Sequence, residues 1–272
     1  MSAVPRSDPP APAPGEPAEP LALVTRDGPV ARVTLNRPAQ FNALSEAMLD
    51  ALAAALAGLA ADASVRVVVL AGAGRAFCAG HDLREMRAQP SAEYYGALFA
   101  QCARVMLAIQ RMPQPVVARV HGIATAAGCQ LVAACDLAVA AEEARFAVSG
   151  VNLGLFCSTP AVALSRNLSR KAAFEMLVTG EFIDAATARE RGLVNRVVPA
   201  ERLDDEIAQL AATIAAKPAV ALAMGKELFY RQLEMGVDAA YQLAGQTMAC
   251  NMMDAAALEG TQAFLDKRKP NW

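Results

Sequence analysis

The first half of the chain alternates short apolar runs with amphipathic segments. Apolar runs at residues 65–70, 116–120 and 136–141 predict strands, and the β-branched run at 65–70 is typical of a strand buried on both faces, as in a parallel sheet. Between them, apolar residues recur at helical spacing, and Ser45 and Ser91 are placed to cap helices that end near residues 61 and 111. Strands that alternate with helices in this way predict an α/β domain with parallel pairing.

Further elements are predicted on either side of these runs. Residues 21–25 and 30–35 predict two strands around a turn, and residues 125–135 predict a helix. From about residue 160 helices dominate, with one more short strand at 194–198. The helices predicted there cover residues 160–167, 171–178, 185–191, 203–216, 220–233, 237–253 and 256–267. Because the last helices have no core of their own, we expect them to pack on the α/β domain or on a neighbouring subunit.

The chain divides into three parts by composition. Residues 1–20 are rich in Pro and Ala and lack both the apolar stretch of a secretory signal and the Arg-rich pattern of a mitochondrial transit peptide. We predict a disordered arm at 1–20, an α/β core at 21–200 and a helical region at 201–272. We expect a cytoplasmic protein, with the mitochondrial matrix as the alternative for a eukaryotic source.

Composition excludes several classes of partner. The chain has 25 Lys and Arg against 27 Asp and Glu, and aromatic residues make up 5%, so neither charge nor stacking favours nucleic acid. Polar residues and glycines interrupt the most apolar run, residues 116–141, which therefore predicts a buried strand–helix–strand unit and no membrane span. With two histidines and no Cys-x-x-Cys pair, we expect no metal site and free cysteines in a reducing compartment.

Two junctions after strands carry the candidate chemistry. Both of them, at 77–83 and 122–130, contain small residues just where a strand ends and a helix is expected to begin. A helix start offers unpaired N–H groups, and small residues let a ligand approach the backbone closely. Two such junctions on neighbouring parallel strands can direct two N–H donors at one oxygen, which is an oxyanion hole. The alternative is a pair of tight turns needed only for packing.

These junctions also carry a family resemblance. The matching stretches are Asn36-Arg37-Pro38, Asn42-Ala43-Leu44, Phe77-Cys78-Ala79-Gly80-His81-Asp82-Leu83, Ala126-Ala127-Gly128-Cys129-Gln130-Leu131 and Leu177-Val178-Thr179-Gly180. From about residue 20 onward the chain resembles the crotonase (enoyl-CoA hydratase/isomerase) superfamily. The resemblance implies a crotonase-like spiral of ββα units with a helical C-terminal trimerisation region, assembled as a homotrimer or homohexamer.

The resemblance also implies an acyl-CoA site. The thioester carbonyl would lie between the backbone N–H groups of His81 and Ala127. Residues implied to contact coenzyme A are Arg37, Gln40 and Phe41 near the adenosine, Asp82, Leu83 and Arg84 along the pantetheine, and Phe264 and Lys267 toward a neighbouring subunit's ligand. Coenzyme A enters as part of the substrate, so no resident cofactor is expected.

The chain departs from the family at both catalytic glutamates. By the resemblance, Gln130 and Gly150 occupy their positions, and neither residue can act as a general acid or base. A subgroup of the superfamily also carries Gly-His-Asp-Leu in the first loop and Gln at the first position. The side chain of His81, Glu85 or a nucleophilic Cys157 remain alternative sources of chemistry.

The expected function is therefore that of a hydratase- or isomerase-like enzyme of acyl-CoA metabolism, weak as an ordinary hydratase. Two alternatives stay open. The first is a non-catalytic acyl-CoA binding protein. The second is another reaction that uses the oxyanion hole, such as decarboxylation or thioester hydrolysis.

Overall fold

A computed structural model describes residues 19–272, so almost all of the predicted arm lies outside the described residues. The strands are β1 (Ala22–Asp27), β2 (Val30–Leu35), β3 (Val67–Gly72), β4 (Ala76–Cys78), β5 (Val116–Val120), β6 (Ile123–Thr125), β7 (Leu137–Ala141), β8 (Arg145–Ala147), β9 (Ile183–Asp184) and β10 (Arg196–Val198). The helices are α1 (Glu46–Ala60), α2 (Leu83–Ala88), α3 (Ala92–Arg111), α4 (Ala127–Ala134), α5 (Ser158–Asn167), α6 (Arg170–Thr179), α7 (Ala185–Glu190), α8 (Leu203–Ala215), α9 (Ala219–Gln232), α10 (Val237–Met252) and α11 (Ala255–Leu265).

Two sheets organise the core. The first has the order β1-β2-β3-β5-β7-β10, and all of its neighbours are parallel except the β1/β2 hairpin. The second has the order β4-β6-β8-β9 and is parallel except at β9. The chain passes from β3 to β4 and then α2, and from β5 to β6 and then α4. This repetition is the expected spiral of ββα units, and both predicted junctions fall at a short second strand followed by a helix.

Each face of the first sheet is covered by helices. Leu49, Leu52 and Leu56 of α1 are buried on one side, each contributing about 1.5–3 kcal/mol by its burial. On the other side, Ile207 and Leu210 of α8 pack against β3, β5 and β7. The first helix of the predicted C-terminal region thus shares a core with the sheet.

Most predicted elements are confirmed within a few residues. Ser45 and Ser91 cap α1 and α3, accepting hydrogen bonds from the N–H groups of Met48 and Tyr94, each at 3.1 Å. The prediction of a helix from residue 125 was wrong at its start, because Thr125 ends β6 and the helix begins at Ala127. The second sheet was missed, since its strands have only two or three residues and carry no readable alternation.

A buried ion pair attaches the later helices to the core. Lys226 of α9 donates to the Asp136 carboxylate at 2.6 Å and to the carbonyls of Ile109 and Gln114 at 2.8 and 2.9 Å. The hydroxyl of Tyr230 donates to the same carboxylate at 2.7 Å. Beyond this attachment α9–α11 bury little, and large apolar side chains such as Phe229 stay exposed.

Over residues 19–272 we find no single helix with the length and apolarity needed to cross a membrane. The helical segments Ala200–Ala215 and Ala219–Gln232 have that length and apolarity only when they are taken together, and the chain bends by 101° between them.

Candidate functional site

The two junctions meet at Gly80. A Cβ at this position would lie 2.9 Å from Cβ of Ala126 and 3.3 Å from the backbone nitrogen of Ala127, so only glycine lets the two loops approach this closely. Gly80 also has a φ of +91°, which favours glycine for a second reason. The structure thus brings His81 and Ala127, predicted from separate stretches of sequence, to one place.

Both predicted N–H donors lack a protein partner in the described part of the chain. Leu44 bonds the backbone groups on either side of the His81 N–H and leaves that N–H without a partner. Leu44 N–H donates to the Gly80 carbonyl at 2.8 Å, and Asp82 N–H donates to the Leu44 carbonyl at 3.2 Å. Ala127 is the first residue of α4, where a helix leaves its N–H unpaired. Two adjacent loops therefore offer two free backbone donors.

The backbone at Ala126 is strained. Its φ of 50° and ψ of −120° lie in a region that residues with a Cβ rarely adopt, which costs about 1–3 kcal/mol. The residue is fixed there because its N–H bonds the carbonyl of Ala147 in β8 at 2.9 Å. This conformation sets the direction of the next peptide and hence of the Ala127 N–H.

Asn42 was part of a predicted motif, but its role emerges only from the fold. Its buried amide donates to the carbonyls of Ala73, Ala76 and Phe77 at 2.9, 2.8 and 3.1 Å, and its Oδ1 accepts the Arg37 N–H at 2.9 Å. These bonds fix the loop between β3 and β4, which leads to the first donor. A polar residue placed in an otherwise apolar motif was the only signal in the sequence.

Gln130 lies one turn after Ala127 on α4. It is buried, and its Oε1 has no hydrogen-bond partner among residues 19–272. Residues i and i+3 share a helix face, so the side chains of Gln130 and Ala127 lie on the same face of α4. Glutamine has the shape of glutamate but carries no titrating group.

Gly150 presents a different situation. A Cβ here would lie 2.5 Å from the carbonyl oxygen of Leu155 and 2.7 Å from Sγ of Cys157. The Gly150 N–H bonds this sulfur at 3.3 Å. Backbone and thiol therefore occupy the space in which any side chain at position 150 would begin.

The His81 imidazole faces Phe99 of α3, edge to face, with 5.5 Å between ring centres. Both ring nitrogens are buried without a hydrogen-bond partner in the described residues. Burial lowers the pKa of His81 and outweighs an interaction with the Leu44 backbone that acts to raise it, so the neutral ring is favoured at pH 7. It is a polar, uncharged group next to the first donor.

The other candidates for chemistry are less suited. Glu85 accepts the backbone N–H of Glu46 at 3.1 Å, which engages one of its carboxylate oxygens at the start of α1. Burial raises the pKa of Cys157, so its thiol stays protonated at pH 7 and is a poor nucleophile. Neither group has the features of an activated catalyst.

The predicted contacts to coenzyme A fall into two groups. Arg37 and Asp82 are ion-paired with each other at 2.9 Å, and Asp82 also caps α2. Although burial acts to raise the pKa of Asp82, hydrogen bonds from Arg37 and the start of α2 outweigh it and hold the pKa below its usual value. This pair joins the two loops across 45 residues of sequence.

The remaining predicted contacts are exposed. They are Gln40, Phe41, Leu83, Arg84, Phe264 and Lys267. Arg75, which the sequence analysis missed, lies with its guanidinium 4.2 Å from the ring centre of Phe41. It adds a cation to the end of the site where adenosine is expected. Phe264 and Lys267 lie at the end of α11, and their contact with a neighbouring subunit's ligand stays a prediction.

Known proteins share the sequence pattern of this chain over most of its length. The family model for enoyl-CoA hydratase/isomerase matches residues 25–272. Mitochondrial enoyl-CoA hydratase domain-containing protein 3 of Xenopus laevis is 44% identical over 253 residues, which cover 93% of this chain and 86% of the relative. The rat protein of the same name is 44% identical over 260 residues, 95% of this chain and 86% of the relative.

Solved structures give the same result. The crystal structure of an enoyl-CoA hydratase from Mycobacterium smegmatis has a TM-score of 0.92 at 68% identity, covering 93% of this chain and 99% of that one. Human enoyl-CoA hydratase domain-containing protein 3 has a TM-score of 0.90 at 42% identity, covering 93% and 100%. Sequence and fold agree, and the chain belongs to the enoyl-CoA hydratase/isomerase (crotonase) family, within which it is similar to the domain-containing protein 3 subgroup.

Proposed function

We propose that the protein binds an acyl-CoA thioester with the carbonyl oxygen between the N–H groups of His81 and Ala127, and that it acts on the acyl group through this polarised carbonyl. The observation that carries the proposal is the meeting of two unpaired backbone donors at Gly80. Two donors in a buried site stabilise the negative charge that develops on the thioester oxygen, worth roughly 10²–10³-fold in rate for each donor.

The chemistry expected from this site is lyase- or isomerase-like but slow as ordinary hydration. Hydration of an enoyl thioester needs a group to activate water and a group to protonate the α carbon. Neither Gln130 nor Gly150 titrates in a usable range, and each acid or base contributes typically about 10²–10⁴-fold. What the chain keeps is the means to hold an enolate and, through the Gln130 amide, to hydrogen-bond a substrate or a water.

A second candidate reaction is favoured by the absence of a titrating group at these two positions. In decarboxylation of an acyl-CoA carrying a carboxylate, carbon dioxide leaves and its bonding electrons pass to the thioester oxygen. No base is needed for that first step, so two N–H donors supply much of the catalysis. Binding without turnover and thioester hydrolysis are the remaining alternatives.

The proposal is tested by titrating the purified protein with a panel of thioesters and following each by mass spectrometry. The panel contains butyryl-CoA, crotonyl-CoA, 3-hydroxybutyryl-CoA, acetoacetyl-CoA and malonyl-CoA, with free coenzyme A as reference. We expect tighter binding of thioesters than of free coenzyme A, and a product from at least one of them above the rate without protein. Binding of no thioester would overturn the proposal, and binding without any product would leave an acyl-CoA binding protein.

The assembly proposed with this function is a homotrimer or homohexamer. It is supported by the large apolar side chains that α9–α11 leave exposed, such as Phe229 and Phe264, because a monomer rarely exposes so much apolar surface. A cytoplasmic location stays a prediction, since the vertebrate relatives are named mitochondrial. Sedimentation of the purified protein tests the assembly, and localisation of the tagged full-length chain tests the compartment.

A further inference from the structure

The C-terminal tail, defined as residues 268–272, folds back on α11. The chain turns at Lys267, whose φ is +56°, and the Arg268 N–H then bonds the Ala263 carbonyl at 3.0 Å. This is the Schellman arrangement, in which a residue in the left-handed region reverses the chain after a helix. Glycine usually occupies that position, whereas here it is a lysine. The backbone of Lys267 and the direction of the tail are therefore set together.

Glu259 of α11 holds this tail. Its carboxylate accepts two hydrogen bonds from the Arg268 guanidinium, at 2.6 and 3.0 Å, and one from the Asn271 N–H at 2.8 Å. The hydrogen bonds from Arg268, and then the one from Asn271, lower the pKa of Glu259 to about 2. The carboxylate is therefore charged at neutral pH, and one side chain ties down both the beginning and the end of the tail.

Trp272, the only tryptophan of the chain, ends the tail. Its indole packs so closely on α11 that a Cβ at Gly260 would lie 2.9 Å from the ring. The indole Nε1–H donates to the carbonyl of Ala216, at the end of α8, at 3.1 Å. The ring also lines a cavity of about 440 Å³ between the start of α9 and α11. The tail thus connects α11 to α8, a helix that packs on the first sheet.

This connection matters because α11 has little other attachment. Ala263 is the one residue of α11 that is buried within the described chain. Phe264 follows it, Lys267 lies just beyond the helix, and both are exposed. A helix that buries so little surface opens easily unless further contacts hold it. The tail supplies such contacts, next to the two residues of this region that are expected to meet coenzyme A.

We propose that Glu259 is a positioning residue, which acts through the tail to fix the end of α11 and with it the direction of Phe264 and Lys267. This inference rests on the proposed function, because those two residues are expected to contact the coenzyme A part of the thioester in the assembled protein. Groups that are already held in their bound position lose less freedom on binding. The tail therefore raises the affinity for the ligand without touching it.

The test joins two measurements on the purified full-length protein. Acrylamide quenching of the fluorescence of Trp272 reports on the tail, since no other tryptophan contributes. Calorimetry with butyryl-CoA gives the affinity. Glu259→Gln is the test variant and Glu206→Gln its matched control. Glu206 has a side-chain exposure of 23% against 25% for Glu259, and it pairs with Arg196 at 2.7 Å near the start of α8.

Glu259→Gln removes the charge and places an NH2 group where an oxygen accepted hydrogen bonds, so the tail should loosen. We expect the quenching constant of Trp272 to rise about twofold and the affinity for butyryl-CoA to fall at least about threefold. Glu259→Asp keeps a carboxylate and is expected to retain part of the affinity. Glu206→Gln is expected to leave both quantities unchanged.

A double variant separates positioning from a general structural role. Lys267→Ala removes one group through which the tail is expected to act. Adding Glu259→Gln to it should therefore cost little further affinity, and the combined loss should stay well below the product of the two single losses. A general structural defect would weaken binding by the same factor in both backgrounds.

The possible failures are distinguishable. An unchanged quenching constant in Glu259→Gln, an unchanged affinity despite a looser tail, or losses that multiply in full with Lys267→Ala would overturn the positioning role and leave the proposed function standing. Failure of the wild type to bind butyryl-CoA or any other thioester of the panel would overturn the proposed function, and the positioning role with it.

Discussion

The proposed site has two parts that require different groups from the protein. The donor part, Gly80–His81 and Ala126–Ala127, has the close approach of two loops, a strained peptide and two N–H groups without a partner in the described residues, and we propose that these N–H groups polarise a carbonyl. In the acid–base part, where the family resemblance implies two catalytic glutamates, Gln130 and Gly150 carry no titrating group. Polarising a carbonyl needs only backbone in a fixed geometry, whereas moving a proton needs a side chain of suitable pKa. We therefore expect the site to polarise a carbonyl even without a titrating side chain at either position.

The two positions of the acid–base part differ from each other as well. At Gln130 an amide stands where the family resemblance implies a carboxylate, and an NH2 group takes the place of one oxygen in a side chain of the same shape. At Gly150 the Leu155 carbonyl and the Cys157 thiol fill the space for a side chain. The difference at position 130 concerns only the chemistry of the side chain. The difference at position 150 also involves the path of the chain from residue 150 to residue 157.

The largest expected effect concerns hydration of crotonyl-CoA. We expect a kcat on the order of 10⁴-fold or more below that of a hydratase with both glutamates, because two acid–base contributions are missing. Gln130→Glu restores one carboxylate in a space that fits it and is expected to raise the rate. The hydration rate of each protein is measured from the loss of the enoyl thioester absorbance. A wild-type kcat within tenfold of ordinary hydratases would contradict the comparison and direct attention to His81 or Glu85.

Removal of the Ala127 N–H tests the donor part. Ala127→Pro deletes the donor at the first position of α4, where a helix tolerates proline, and should lower the turnover of the best substrate by roughly 10²–10³-fold. An α-hydroxy acid at position 127 deletes the same N–H with less change of shape, and Ala127→Ser is the control that keeps it. If the two deletions turned over substrate as fast as the control, Ala127 would not be a donor.

The effect of alanine on protein stability is expected to differ between Gly150 and a glycine with open space around it. Gly150→Ala places a Cβ against Leu155 and Cys157 and should lower the free energy of unfolding by about 1–3 kcal/mol. Gly96→Ala makes the same change in α3, where a Cβ would meet nothing within 4 Å, and should raise it by about 0.5–1 kcal/mol. Urea unfolding of both variants measures the difference. Equal changes in the two would mean that position 150 is open.

The smallest effect is expected at the coenzyme A end. Lys267→Ala should weaken coenzyme A binding by roughly 1–2 kcal/mol if the ammonium group lies near a phosphate in the assembled protein. The loss should shrink as salt is added, because salt screens the contact. Calorimetry at low and high salt checks this, with Lys269→Ala as a neighbouring control. Unchanged affinity at low salt would leave Lys267 as a solvent-exposed side chain.

Local signals in the sequence predicted most of the fold. Caps at Ser45 and Ser91 and the apolar runs of β3 and β5 depend on neighbours within a few residues, so a single sequence reveals them. The second sheet could not be predicted, because β4, β6, β8 and β9 are short and are defined by pairing with distant strands. The family resemblance, and not periodicity, supplied the spiral.

The candidate site was also predicted only in part. His81 and Ala127 follow from small residues after strands together with the resemblance, and the structure brings the two together. Three features depend on contacts between distant residues and were missed: the Arg37–Asp82 pair, the packing of His81 on Phe99, and the closure of position 150 by Cys157. Each joins elements whose proximity only the folded chain defines.

The most direct test of the central claim is a crystal structure of the protein with a slowly turned-over thioester such as acetoacetyl-CoA. We predict that the thioester oxygen lies about 2.7–3.1 Å from the backbone nitrogens of both His81 and Ala127. A thioester bound with its carbonyl oxygen away from these two nitrogens would contradict the account.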